Sequence, residues 1–161
     1  MKKILFIIAV VLISITATAQ IKSATLQASG LTCSMCNLSI KKSLEKLPFI
    51  EQIKPNVETA TYEIAFKENS AIVLEDLQKA VKKAGFSVAK LSFTSSFNNV
   101  SIANKNTFEL NGISYYIINP KSNVLNGSIP FQIIGKDYTG EKDFKRHKQK
   151  LNPQFVNVIQ L

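Results

Sequence analysis

The stretch GLTCSMCNLSIKKSLEKLP, residues 30–48, decides the reading of this chain. Cys33 and Cys36 stand three positions apart. From Cys36 onward, Ile40, Leu44 and Leu47 recur at helical spacing, while Lys41, Lys42, Glu45 and Lys46 fall on the other side. That pattern predicts an amphipathic helix that begins at the second cysteine and ends at Pro48, which cannot continue it. One thiol therefore sits in a loop and the other in the first turn of a helix. Unpaired backbone N–H groups and the positive end of the helix dipole favour the thiolate there.

Working outward, Ala24, Leu26 and Ala28 alternate with Thr25 and Gln27, a strand pattern that stops at Gly30. Residues 50–57 and 61–67 are two short strand candidates. In the second, Tyr62, Ile64 and Phe66 share one face, and Pro55 confines the first to a sheet edge. Leu74, Leu77, Ala80, Val81 and Ala84 form the buried stripe of a second helix, with Gly85 placed to end it in a left-handed conformation. Residues 88–93 supply a last strand. Strand, helix, strand, strand, helix, strand is the split βαβ order of an α+β, ferredoxin-like domain.

Soft sulfur selects soft cations such as Cu(I), and thiolate also suits zinc. Two sulfurs satisfy a nearly linear d¹⁰ ion such as Cu(I) or Hg(II), whereas structural zinc normally takes four ligands. The chain holds two cysteines and one histidine, and no second CxxC. The ligand count points away from structural zinc and toward copper(I), with mercury or zinc as alternatives.

The loop from Gly30 to Cys36, the helix after it, the stretch from Leu77 to Ala80, and Lys83-Ala84-Gly85-Phe86 together resemble the heavy-metal-associated domains of copper chaperones, copper-transporting ATPases and periplasmic mercury-binding proteins. The resemblance covers residues 21–93. It implies an antiparallel sheet in the order 4-1-3-2, with the Pro55 strand at an edge. It assigns the two metal-binding thiolates to Cys33 and Cys36, and a loop-shaping role to Thr32. Leu31 replaces the family's usual Met at a supporting position. Phe86 stands where relatives carry Lys, Tyr or Phe close to the metal loop. Thr32 also occupies the place where zinc-selective members often carry an acidic residue.

At the amino terminus, Lys2 and Lys3 precede an apolar run at residues 4–13 and the small triplet Ala17-Thr18-Ala19. This three-part pattern predicts a signal peptide over residues 1–19, cleaved before Gln20. Its apolar stretch is shorter than the roughly 20 residues that span a bilayer. The expected location is periplasmic or secreted, with no integral membrane segment after cleavage. Loss of Lys2 and Lys3 with the leader lowers the formal net charge from +9 to +7. Such a balance favours acidic partner surfaces or anionic lipid, although lysines spread along a chain are ordinarily just solvated. Export argues against nucleic acid as a partner.

The metal-binding domain is assigned to residues 20–94. Residues 95–106 lie in a Ser- and Asn-rich stretch and are expected to be a linker. The grammar then changes. Residues 108–110 and 113–118 flank Asn111-Gly112, a pair suited to a tight two-residue hairpin. Residues 131–134 and 155–161 read as strands, and residues 141–150 as a short basic helix. The segment 107–161 is expected to be a small, mostly β domain, with an OB-like barrel as its form.

The whole is expected to be a metallochaperone and not an enzyme, passing its ion to metal-transporting or efflux proteins by transient docking. Two other classes compete. A helix-start CxxC also serves thiol-disulfide oxidoreductases, but no Trp precedes the pair and no Gly-Pro separates the cysteines. A metal-responsive adaptor is the third reading. Met35 offers a thioether, but in the resembled family its position faces solvent. His147 lies among Lys145, Arg146 and Lys148, a cationic setting that disfavours metal binding. Lys145 and Arg146 are candidates for docking an acidic partner.

Overall fold

A computed structural model describes residues 20–30, 34–102 and 106–161. The expected signal peptide, together with Leu31, Thr32 and Cys33, lies outside the described residues. The strands are β1 (Gln20–Ser29), β2 (Ile50–Asn56), β3 (Thr61–Phe66), β4 (Ser87–Ser101), β5 (Thr107–Leu110), β6 (Ile113–Ile117), β7 (Val124–Ile133) and β8 (Val156–Gln160). The helices are α1 (Ser34–Leu44), α2 (Leu74–Lys83) and α3 (Glu141–His147), the last continued by a 3₁₀ turn at Lys148–Lys150.

All eight strands belong to one sheet in the order β2-β3-β1-β4-β7-β8-β6-β5. Its first four strands have the split βαβ arrangement that the sequence predicts, with the Pro55 strand β2 at the edge. On β1, Ala24, Leu26 and Ala28 are buried while Ser23 and Thr25 are exposed, so the period-2 pattern sets the face covered by the helices. Ile40 and Leu44 of α1, and Leu74, Leu77 and Val81 of α2, complete that core. Ser43 of α1 donates its hydroxyl proton to the Ala80 carbonyl at 2.7 Å and ties the two helices together.

The expected linker at 95–106 differs from the structure, because β4 continues unbroken to Ser101. The reason is alternation. Phe93, Ser95 and Phe97 are all buried on one face of β4, and Ser95 is accommodated because its hydroxyl donates to the Gln20 carbonyl at 2.9 Å. The other side of β4 pairs with β7, with Phe93 opposite Phe131.

The OB-like barrel is likewise replaced by a continuation of the same sheet. Four of the expected tail elements stand: β5 and β6 form a hairpin with Asn111 and Gly112 both at positive φ, β8 forms, and α3 occupies the basic segment. β7 starts earlier than expected, and β8 pairs parallel with β6 and antiparallel with β7. This half of the sheet is rolled. β5 lies four strand positions from β4, about 19 Å on a flat sheet, yet the rings of Phe97 and Phe108 are 5.4 Å apart. Phe108 also stacks on Tyr115 and Phe131, closing an aromatic core inside the roll.

Candidate metal centre

The site is built where β1 runs out and α1 begins. Gly30 takes φ of +80°, a conformation that costs a side-chain-bearing residue energy, so the chain leaves the strand with a turn that Gly permits. The residue before it is pinned. Ser29 pairs with Ser87 at the start of β4, with their hydroxyl oxygens 2.6 Å apart, and the Ser29 hydroxyl also reaches the Ser87 carbonyl at 3.3 Å. The loop thus departs from a clamped base.

Cys36 lies in the first turn of α1 and is half-buried. In this structure it is disulfide-bonded. Cys33, the other assigned ligand, lies outside the described residues. The first turn of α1 contains no acidic residue to oppose a thiolate, and Lys41 and Lys42 in the last turn match the negative end of the helix dipole.

The next residue fixes the turn. Asn37 is buried, and the Tyr62 hydroxyl donates to its Oδ1 at 2.8 Å. Tyr62 is the second residue of β3, so the start of the helix is bolted to the sheet beneath it. Burial pushes the Tyr62 phenol above its usual pKa, which favours the protonated, donating form. This contact was not anticipated, yet a signal existed: Asn37 interrupts the apolar stripe of Ile40 and Leu44 at helical spacing, and a buried amide requires a partner.

Across the sheet, α2 ends in the manner expected for Gly85. Gly85 has φ of +90°; its N–H donates to the Lys82 carbonyl at 3.0 Å, and that of Phe86 donates to the Val81 carbonyl at 3.2 Å. This pair of bonds is a Schellman motif. It sets Phe86 half-buried against the core, one residue before the Ser87 that clamps Ser29. Phe86 and Gly30 therefore lie at one end of the sheet.

Met35 is 71% exposed, in keeping with a side chain that points to solvent. His147 is half-buried on α3. Lys145 and Arg146 pair with Glu141 and Asp143 of their own helix at 2.6 and 3.3 Å. Among the described residues, no three His, Cys, Asp or Glu side chains gather to hold an ion, and no helix is long and apolar enough to cross a membrane.

Residues 25–87 match the family model described as the heavy-metal-associated domain. This segment is a heavy-metal-associated domain. The rest of the chain lies outside the match. Over 86 residues the chain is 29% identical to the mercuric transport protein periplasmic component of Pseudomonas fluorescens, an alignment that covers 53% of this chain and 93% of that protein. Among solved structures, oxidized MerP from Ralstonia metallidurans CH34 is 29% identical, with a TM-score of 0.38, over 44% of this chain and 97% of that one. A putative copper-ion-binding protein from Bacillus anthracis str. Ames is 26% identical, with a TM-score of 0.37, over 45% of this chain and 99% of that one.

Proposed function

We propose that the protein is an exported carrier of soft metal ions that holds Cu(I) between the thiolates of Cys33 and Cys36 and passes it to a metal-transporting or efflux protein by ligand exchange. The observation that carries this reading is the position of Cys36, in the first turn of a helix anchored by Asn37 and Tyr62, within a heavy-metal-associated domain.

Two thiolates leave Cu(I) coordinatively open, so an incoming thiolate can bind before an outgoing one leaves. Each exchange swaps one metal–sulfur bond for another, and no net redox change occurs. The helix dipole offsets the charge of the thiolates at rest. A disulfide cannot act this way. Loading requires that a thiol reductant deliver two electrons and two protons to the cysteine pair, and metal binding then releases protons. The proposed setting is the periplasm or the extracellular space, and the proposed action is transfer and not catalysis.

Hg(II) is the second reading, favoured by the relatives named as mercuric transport components. Two thiolates suit its linear coordination equally well.

The test is a competition titration of the reduced mature chain with Cu(I) against a chromophoric chelator, beside a Cys33→Ser/Cys36→Ser variant, and then the same pair with Hg(II). One-to-one Cu(I) binding that the variant loses supports the copper reading. Cysteine-dependent binding of Hg(II) with weak Cu(I) binding moves the assignment to mercury. Indifference of both ions to the two cysteines sinks the dithiolate site.

A further inference from the structure

The segment from Glu141 to Lys150 holds more basic residues than any separate ten-residue stretch of the described chain, and the metal site makes no use of it. It carries Lys142, Lys145, Arg146, Lys148 and Lys150 against Glu141 and Asp143. Both carboxylates are already engaged, with Lys145 and Arg146. Lys142, Lys148 and Lys150 are exposed and form no ion pair among the described residues. Seven helical residues and a 3₁₀ turn span roughly 16 Å, so these charges are concentrated on one short segment.

The patch is also unusual as a piece of structure. None of the residues of α3 or the 3₁₀ turn is buried. A helix of this length is not held by its own propensity, and little packing supports it. What fixes it is its start. The Gly140 N–H donates to the Ala89 carbonyl at 2.8 Å, and Thr139 bridges Lys90. Ala89 lies two residues along β4 from Ser87, the residue that clamps the base of the cysteine loop. The basic segment is therefore presented from the part of β4 next to the metal end.

We propose that residues 141–150 dock the protein electrostatically on an anionic lipid surface. The composition favours lipid over an acidic protein. Protein interfaces are enriched in arginine and aromatic residues and depleted in lysine. Here the chain's single arginine is occupied by Asp143, the free charges are all lysines, and no exposed large apolar side chain lies in the segment. Flexible, strongly hydrated ammonium groups suit a mobile field of lipid headgroups better than a fixed, shaped partner. Such docking holds the carrier beside the membrane from which a metal transporter takes its cargo, but it requires no metal and stands or falls apart from the copper reading.

The experiment is flotation of the mature full-length chain with phosphatidylcholine vesicles containing about a third phosphatidylglycerol, and with pure phosphatidylcholine vesicles. Binding to the anionic vesicles only, abolished at about 0.5 M salt and weakened at least tenfold in Lys142→Gln/Lys148→Gln/Lys150→Gln, is the expected result. A control, Lys22→Gln/Lys46→Gln/Lys54→Gln, removes equal charge elsewhere and is expected to bind within threefold of the parent. No binding to anionic vesicles overturns the proposal, as does equal loss in the control. Failure on vesicles together with salt-sensitive, patch-dependent binding to polyglutamate overturns it in favour of an acidic protein.

Discussion

The Tyr62 hydroxyl donates a 2.8 Å hydrogen bond to Oδ1 of Asn37, the residue that follows Cys36. Both partners are buried, so the bond forms in a low-dielectric setting where its loss is not compensated by water. Tyr62→Phe keeps the ring and removes only the donor. The expected cost is about 1 to 2 kcal/mol of stability, read by urea denaturation. Because Asn37 belongs to the first turn of α1, the variant is also expected to show faster amide exchange through residues 36–38 than elsewhere in the helix. Uniform exchange along α1 would show that the bond stabilises the fold without holding the site.

Gly85 makes a second claim that can be measured. Its φ of +90° lets both bonds of the α2 cap form, and a methyl group added there meets no atom within 4 Å. Backbone strain is therefore the sole penalty, and Gly85→Ala is expected to destabilise by about 1 kcal/mol. Gly85→Asn, which tolerates the left-handed region better, should cost less. If both variants cost the same, strain is not the cause.

The first half of the fold was legible because each signal was local. Ile40 and Leu44 marked one helix, Leu77 and Val81 another, Gly85 a stop, and Pro55 an edge. The Asn37 anchor was visible only as an anomaly in an apolar stripe. The second half depended on partners far away in sequence. Ser95, Ser96 and Asn98 read as a linker by composition, while Phe93 and Phe97 already marked the period of a strand. The parallel pairing of Tyr115 with Val156 joins residues 41 positions apart and leaves no local mark. The hairpin at Asn111-Gly112, with its own two-residue signature, was the exception.

The sharing of β4 between the two halves predicts how a fragment behaves. A chain of residues 20–94 loses β7, which pairs along β4 from Ser92 to Ser101. It also loses the rings of Phe131 and Tyr115, which lie 5.6 Å from that of Phe93. The fragment then presents an unpaired edge and an uncovered aromatic face, the combination that promotes strand-to-strand association. It is expected to unfold at lower urea than a chain of residues 20–161 and to self-associate with rising concentration in sedimentation velocity. A fragment as stable and as monomeric as the chain of residues 20–161 would establish the heavy-metal-associated segment as an independent unit.

Alkaline pH should act on the tail first. Burial pushes the phenols of Tyr115 and Tyr138 up to about 12, each from an ordinary value near 10. The nearby Tyr138 adds to the rise at Tyr115, and Glu75, Asp137 and Asp76 add to that at Tyr138. The sign follows from linkage. Below pH 10 both states hold the proton and the groups contribute their full stability. Between about 10 and 12 the unfolded chain releases protons that the folded chain retains, so unfolding is increasingly favoured as pH rises. For Tyr115, which is fully enclosed, a displacement of about two units corresponds to about 2 to 3 kcal/mol. Tyr115→Phe keeps the ring stacked on Phe108 and beside Phe93 and removes the titrating group. Its denaturation midpoint in urea should therefore fall less than that of the parent between pH 9.5 and 11.5. Equal slopes would mean that the Tyr115 phenol ionises in the folded state as readily as in water, and that the rolled half of the sheet does not exclude solvent from it.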